Sequence, residues 1–342
     1  MSYPIGGFVL GEGLGTFDAP QMKGPILRRS IEERWVSLIN SPAWRRAASS
    51  GTGRRLIRSR PYRALHLVRR FALTWIQQLR DPHRFIDVEA VCIFIGHAKS
   101  GASLLGSLLD AHPDAVVADE IDVVRYVARG FGRDQIFHLL EKGARREASK
   151  GRVTARRLTP YSLAVPGQSQ GRSANVRVIG ESKAGPTTRR LGREPDLLEA
   201  LDRRMRGVPV RYVHVVRDPF DPISAMVIRS GRSVADGISD YADQCRTLSE
   251  LRQRIGRDRL LTIEYESFVR DPVGGLRAIG DFVGVEADEA YLEACAAIVD
   301  PDVLPERRLV EWSDRDIDAV RALIAETSFL RSYDRHGERC VG

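Results

Sequence analysis

The stretch Gly96-His97-Ala98-Lys99-Ser100-Gly101-Ala102-Ser103-Leu104-Leu105 follows a short apolar run, VCIFIG at 91–96, and opens a helical pattern. A glycine-bounded turn between a strand and a helix can aim successive backbone N–H groups at an anion, and the helix N-terminus adds its dipole. Glycine permits the close approach and left-handed angles such a loop needs. The two glycines match the spacing of a nucleoside-triphosphate loop, G-x-x-x-x-G-K-[ST]. Ala102, however, stands where that motif has its lysine, the cation Lys99 lies inside the loop, and Ser103 keeps a hydroxyl. No acidic strand end suited to magnesium accompanies it. A bound phosphate is expected, and kinase or GTPase chemistry is disfavoured. The bland alternative is a glycine turn that binds nothing.

AKSGASLL (98–105) resembles the 5′-phosphosulfate loop of the sulfotransferases that use 3′-phosphoadenosine 5′-phosphosulfate (PAPS). That loop carries Lys or Arg, then Ser-Gly, then two small or hydroxyl residues. The family has Thr-Thr where this chain has Ala102-Ser103, so one hydroxyl is missing. The resemblance implies that Lys99, Ser100, Gly101, Ala102, Ser103 and Leu104 hold the donor, with Lys99 as the catalytic cation. VHVVRDPFDPISAM (213–226) resembles the family's second signature. There an arginine at a strand end and a serine two helical turns later grip the 3′-phosphate. A guanidinium suits that dianion. Arg217 takes the arginine's place. Ala225 holds the usual serine position, and Ser224, one residue early, is the substitute. The alternative for Arg217 is an ion pair with Asp218 or Asp221. A third segment, IEYESFVRDP (263–272), resembles a family stretch read here as structural: strand, turn, then a helix from Pro272.

Sulfuryl transfer has a loose transition state, so positioning and charge stabilisation do most of the work. No metal is implied, because the sulfuryl group carries less charge than a terminal phosphate. The acceptor hydroxyl needs a base. DAHPDAVVADEIDVV (110–124) resembles a His-Pro-Asp stretch of the tyrosylprotein sulfotransferases that is followed by paired acids, the second being the base. On that likeness Asp119 and Glu120 are the pair and Glu120 the base, against a solvated glutamate in a charged turn. His97, beside Lys99, is the runner-up base. His112 ends a helix and packs. IGESKAGPTTRRL (179–191) resembles the family's Gly-(Asp/Asn)-Lys, which makes Lys183 a ligand of the sulfuryl group or acceptor. Arg307 and Arg308 are candidates to reach the 3′-phosphate.

These residues need a scaffold. Apolar runs at 91–96, 175–180, 210–216 and 259–265 read as strands buried on both faces. Helical patterns fall at about 102–112, 122–149, 195–206, 219–230, 234–255 and 272–283, and Ser313 with Asp316 opens a last one. The alternation predicts a parallel sheet. The fold class is therefore α/β: a P-loop-type three-layer fold with a central parallel sheet flanked by helices, plus a basic, mostly helical N-terminal extension. Residues 150–175, rich in Gly, Ser and Arg, are a lid candidate over the acceptor.

With 43% hydrophobic and 29% charged residues, the 342-residue chain falls in the globular class. Its net charge of +8 is unevenly spread. Residues 1–86 carry 15 Lys/Arg against 5 Asp/Glu, and residues 87–342 carry 38 against 40. A nucleic-acid-binding core would not be slightly acidic. This sets the expected division: a basic extension over 1–86 and the catalytic domain over 87–342. Within the extension a helix is expected at about 30–47, where Ser30 and Glu33 have capping-box spacing, then a basic linker at 48–62. Another helix is expected at 62–80, its apolar stripe (Leu65, Val68, Ala72, Trp75, Ile76, Leu79) flanked by Arg63, Arg69, Arg70 and Arg80. That stripe suits docking on the domain or a partner subunit, or contact with an anionic membrane surface. The four cysteines show no metal spacing, and the N-terminus lacks a secretory pattern, so a reducing cytoplasm is expected.

The expected function is transfer of a sulfuryl group from PAPS to a small-molecule, glycan or peptide hydroxyl. The alternatives are a P-loop nucleotide kinase and a catalytically silent nucleotide- or membrane-binding protein.

Overall fold

A computed structural model of the chain describes residues 59–153, 161–300 and 306–336. The expected helix at 30–47 and most of the basic linker lie outside the described residues. The chain divides into two compact units, Met1–Val68 and Arg69–Gly342. That division falls ahead of the charge break at residue 86. Packing explains the difference: Phe85 and Val88 are buried, and Arg84 forms an ion pair with Glu141 at 2.7 Å.

Helix α1 spans Arg60–Arg80. Strand β1 (Ala90–Gly96) is followed by α2 (Ala102–Leu109), β2 (Ala115–Ala118), α3 (Val123–Val127) and α4 (Arg133–Ala148). Next come β3 (Val178–Glu181), α5 (Ala184–Arg193), α6 (Leu197–Arg204), β4 (Val210–Val216), α7 (Phe220–Ser230) and α8 (Val234–Ile255). The last elements are β5 (Leu260–Glu264), α9 (Tyr265–Arg270), α10 (Pro272–Val283), α11 (Glu289–Ala296) and α12 (Asp314–Glu326).

The five strands form one all-parallel sheet in the order β2-β3-β1-β4-β5. Every residue of β1, AVCIFIG, is buried, as a strand covered by helices on both faces requires. Chain order places β1 in the middle, with the next connection running to one side and β4 on the other. The crevice at its C-terminal end is the topological switch point where such sheets bind ligands. No helix among the described residues is long and apolar enough to cross a membrane.

Four of the expected strands are present, but the run at 175–180 pairs only from Val178. The short strand AVVA (β2) and the helices α5 and α11 have no counterpart among the expected elements, and the turn expected before Pro272 is the helix α9. The pattern at 122–149 is two helices. Asp122 caps the first by accepting from the Arg125 N–H at 2.8 Å, and Gly130, at φ 78°, ends it. The expected start at Ser313 holds: its hydroxyl oxygen accepts from the Asp316 N–H at 3.2 Å.

Of the lid expected at 150–175, residues 154–160 lie outside the described residues, and on either side of them Arg152, Leu163, Val165, Gln170 and Gly171 are buried against the domain. Leu163 and Val165 join the core around α2. Ser107 donates to the Leu163 carbonyl at 3.0 Å, and the Gln170 amide donates to the Ser107 carbonyl at 2.7 Å. Arg152 is ion-paired with the fully buried Asp110. That carboxylate also accepts from the N–H groups of Val117 and Gly171, each at 2.6 Å. Burial pushes the Asp110 carboxyl up to about 7, against the pull of Arg152 and these donors. Removing one partner of such a pair strands the other. Arg152→Ala is expected to cost about 3–5 kcal/mol in urea unfolding. A loss below about 1 kcal/mol would show that the pair does not anchor the segment.

Candidate active site

The loop after β1 is held in an unusual shape. Gly96 and Gly101 have φ of 137° and 102°, and Lys99, a non-glycine residue, has φ of 71°. Left-handed lysine is uncommon and costs of order 1–3 kcal/mol, so the surroundings must impose it. They do so from three sides. The Gly96 N–H donates to Thr188 Oγ1 at 2.9 Å, and its carbonyl accepts from the Gln244 amide at 2.7 Å. A Cβ on Gly101 would overlap the Tyr265 ring, so only glycine fits beneath it. Gly101 caps α2 with no side-chain acceptor; the Leu104 N–H donates to the Gly101 carbonyl at 2.9 Å, and the N–H groups of Ala102 and Ser103 are the first-turn donors open to an anion.

Arg217, at the end of β4, is buried beside this loop. Its guanidinium lies over the Tyr265 ring, 4.8 Å from the centroid. Nη1 donates to the Lys99 carbonyl at 3.2 Å. Nη2 reaches Asp221 at 2.9 Å and Glu306 at 3.1 Å. Arg307 joins the group, with Asp218 at 2.7 Å and Asp221 at 2.8 Å. The alternative reading of Arg217, an ion pair, is thus seen with Asp221 and not with Asp218. Arg308 is exposed.

Three buried polar atoms here lack a hydrogen-bond partner among the described residues: Ser100 Oγ, Arg217 Nε and Ser224 Oγ. A group left unsatisfied in this way costs roughly 1–3 kcal/mol. They sit on the loop, at the end of β4 and in α7.

On the other side of the loop, Ser103 donates to Asp119 Oδ1 at 2.8 Å, and Ser182 donates to the same oxygen at 3.1 Å. Glu120 is half-exposed and pairs with Lys183, whose Nζ lies 3.3 Å from Oε2 and donates to the Glu120 carbonyl at 3.2 Å. The structure thus brings Lys183, Glu120, Asp119 and Ser103 together. Beneath them Glu181 is fully buried. It accepts from the Thr187 hydroxyl at 2.6 Å and the Lys183 N–H at 2.9 Å.

His97 is placed differently. Its ring stacks on Tyr241 of α8, 3.6 Å between centroids, and Nε2 meets the Tyr241 carbonyl at 3.2 Å. Burial drives the imidazole down to about 3. A ring so reluctant to take a proton and sandwiched against α8 is a poor base for a reaction at the loop. His112 packs as expected, its Nε2 2.9 Å from the Glu286 carbonyl and its ring edge-on to Tyr291.

From the sequence, IEYESF reads as scaffold alone. The structure puts Tyr265 directly on Gly101 and Arg217. Glu266 accepts from the Asp218 N–H at 3.0 Å and from the Tyr333 hydroxyl at 2.5 Å. The segment was visible as a motif, but its contacts join residues far apart in the chain.

The sequence model described as "Sulfotransferase family" matches residues 92–289. The chain belongs to this family. The matched span holds all three motif segments and the Asp119–Lys183 group. Among curated sulfotransferases, a protein-tyrosine sulfotransferase of Drosophila melanogaster is 24% identical over 242 residues. That alignment takes in 68% of this chain and 46% of the fly protein, so the chain spans about half of that relative. Two solved sulfotransferase domains are also similar. The one from the Synechococcus olefin synthase is 19% identical, with a TM-score of 0.44, covering 69% of this chain and 94% of that one. The one from the curacin biosynthetic pathway is 13% identical, with a TM-score of 0.45, covering 70% and 98%.

Burial raises Glu181 from its ordinary 4.5 to about 8, against the pull of Thr187 and the Lys183 N–H. Between these values the folded chain holds a proton that the unfolded chain has lost. Stability therefore falls as pH rises across that window. Urea titrations from pH 5 to 8.5 are expected to show a shallower decline for Glu181→Gln than for the wild type. Equal slopes would refute the assignment.

Proposed function

We propose that this chain transfers a sulfuryl group from PAPS to an acceptor hydroxyl and releases adenosine 3′,5′-bisphosphate (PAP). The observation that carries the reading is the loop with left-handed Lys99, its carbonyl held by the buried Arg217, with Ser100 Oγ and Arg217 Nε buried and unpartnered there among the described residues. The donor supplies an activated sulfur–oxygen bond. Backbone N–H groups at the start of α2, with Ser100 and Ser103, bind its 5′ end. Lys99 sets a positive charge where the leaving phosphate oxygen gains negative charge. Arg217 binds the 3′-phosphate, with Ser224 as the nearby hydroxyl and Arg307 in support. Lys183, held by Glu120 and Glu181, faces the acceptor side. The acceptor is a hydroxyl of a small molecule, glycan or peptide. Three buried, unpaired thiols, Cys92, Cys245 and Cys295, suit a reducing compartment, taken here as the cytoplasm.

PAP is expected to stabilise the protein against heat more strongly than ADP. Arg217→Ala is expected to weaken PAP binding by about 1.5–3 kcal/mol in calorimetry, the scale for hydrogen bonds to charged groups. Lys99→Ala is expected to cut kcat at least about 100-fold with the melting transition retained. Equal stabilisation by ADP, or near-normal turnover of the lysine variant, would overturn the reading.

Helix α1 supports a second element of the proposal, contact with an anionic membrane surface. Leu65, Val68, Phe71, Trp75 and Leu79 are all exposed along it. Its 21 residues include Arg60, Arg63, Arg69, Arg70 and Arg80 and no acidic residue. That charge opposes pairing with a second copy and favours anionic lipid. The protein is expected to sediment with phosphatidylserine-containing vesicles, and Trp75→Glu to lose most of that binding. Equal sedimentation with neutral vesicles would exclude the electrostatic part.

A further inference from the structure

We propose that Asp119, rather than its neighbour Glu120, takes the proton of the acceptor hydroxyl, and that the donor nucleotide readies it by claiming the Ser103 hydroxyl. The proposal rests on the reading of the loop as the donor site.

Asp119 is fixed from two elements. Ser103 in the first turn of α2 and Ser182 just after β3 both donate to Oδ1, at 2.8 and 3.1 Å. The other oxygen, Oδ2, has no hydrogen-bond partner among the described residues. The carboxylate is thus anchored on one oxygen and open on the other, the geometry a proton acceptor needs. Gly106 makes the anchoring possible, since a Cβ there would overlap Ser182 and force α2 away from the end of β3. Glu120 differs on each count. Its side chain is half exposed and tied to Lys183 through both its carboxylate and its carbonyl.

Ser103 supplies the coupling. A serine hydroxyl carries one proton and cannot donate to two acceptors at once. Ser103 occupies the first turn of the helix that receives the donor's 5′ end. When its hydroxyl turns to an anionic oxygen, Asp119 loses one of its two hydrogen bonds. Burial already raises the Asp119 carboxyl, and the Glu120 charge adds to this. Ser103, Ser182 and Arg152 pull the other way. Lys183 acts at one remove, through Glu120. Losing the Ser103 bond beside a newly bound anion raises the proton affinity further, so the base strengthens only when the donor is in place.

The step balances. The acceptor oxygen bonds to sulfur as its proton passes to Asp119 Oδ2. The bond from sulfur to the 5′-phosphate oxygen breaks, and its electron pair leaves with PAP. Asp119 then releases the proton to water.

Calorimetric titration of the full-length protein with PAP, near pH 6 in buffers of different ionisation heat, reads the proton count directly. Wild type is expected to take up a fraction of a proton per PAP beyond the change in the ligand's own phosphates, which titrate at about pH 6 and contribute alike in every variant. Asp119→Asn and Ser103→Ala are both expected to lose that uptake while still binding PAP, and Glu120→Gln to keep it. In turnover assays Asp119→Asn is expected to lower kcat at least about 100-fold, with the Kd for PAP changed less than tenfold. Uptake that persists in Asp119→Asn, or vanishes in Glu120→Gln, would overturn the proposal while leaving the donor site intact. Failure of the wild type to bind PAP would overturn the donor-site reading and this inference with it.

Discussion

Burying the Arg217 guanidinium is the constraint on which the site depends. A charge removed from water costs several kcal/mol unless it is fully paired. Here the pairing comes from four separate parts of the chain: the Lys99 carbonyl of the loop, Asp221 of α7, Glu306 of a later turn and the Tyr265 face of α9. None of these groups can move without exposing an unpaired charge. The arginine therefore holds the loop, and the loop in turn keeps Lys99 in its left-handed conformation.

A second layer of buried charge lies under the Lys183–Glu120 pair. Glu181 and Asp110 are both fully buried and both raised by desolvation. Glu181 fixes the turn that presents Lys183, and Asp110 fixes the turn between α2 and β2 that leads to Asp119 and Glu120. Such groups weaken the fold as the pH rises, yet they point backbone N–H groups and charged side chains in defined directions. The Lys99 loop and the Lys183–Glu120 pair are thus supported by different buried ions, an arginine for one and carboxylates for the other.

Much of this was legible from local sequence. The buried run of β1, the glycine spacing of the loop and the strand-end position of Arg217 are short-range patterns, and they put the loop after β1 and the arginine after β4, as found. Long-range partners were not legible. His97 adjoins Lys99 in sequence, but its ring turns to Tyr241, 144 residues on. Asp119 was visible only as the first of two acids, because its serine partners are 16 and 63 residues away. Strand β2, four residues long, is too short to show a periodicity. The arginines at 150–175 suggested a mobile cover, but one of them, Arg152, is consumed by a buried carboxylate.

The hydrogen bond from Arg217 to the Lys99 carbonyl has a consequence for selectivity. It sets a fixed distance between the cation assigned to the 3′ end of the nucleotide and the loop assigned to the 5′ end. On the proposed reading the pair acts as a gauge. A nucleotide is measured by the span between its two charged ends, without any need to read its base. A molecule with all its phosphates strung from one end can satisfy the loop, but it leaves the other jaw closed on its own carboxylates.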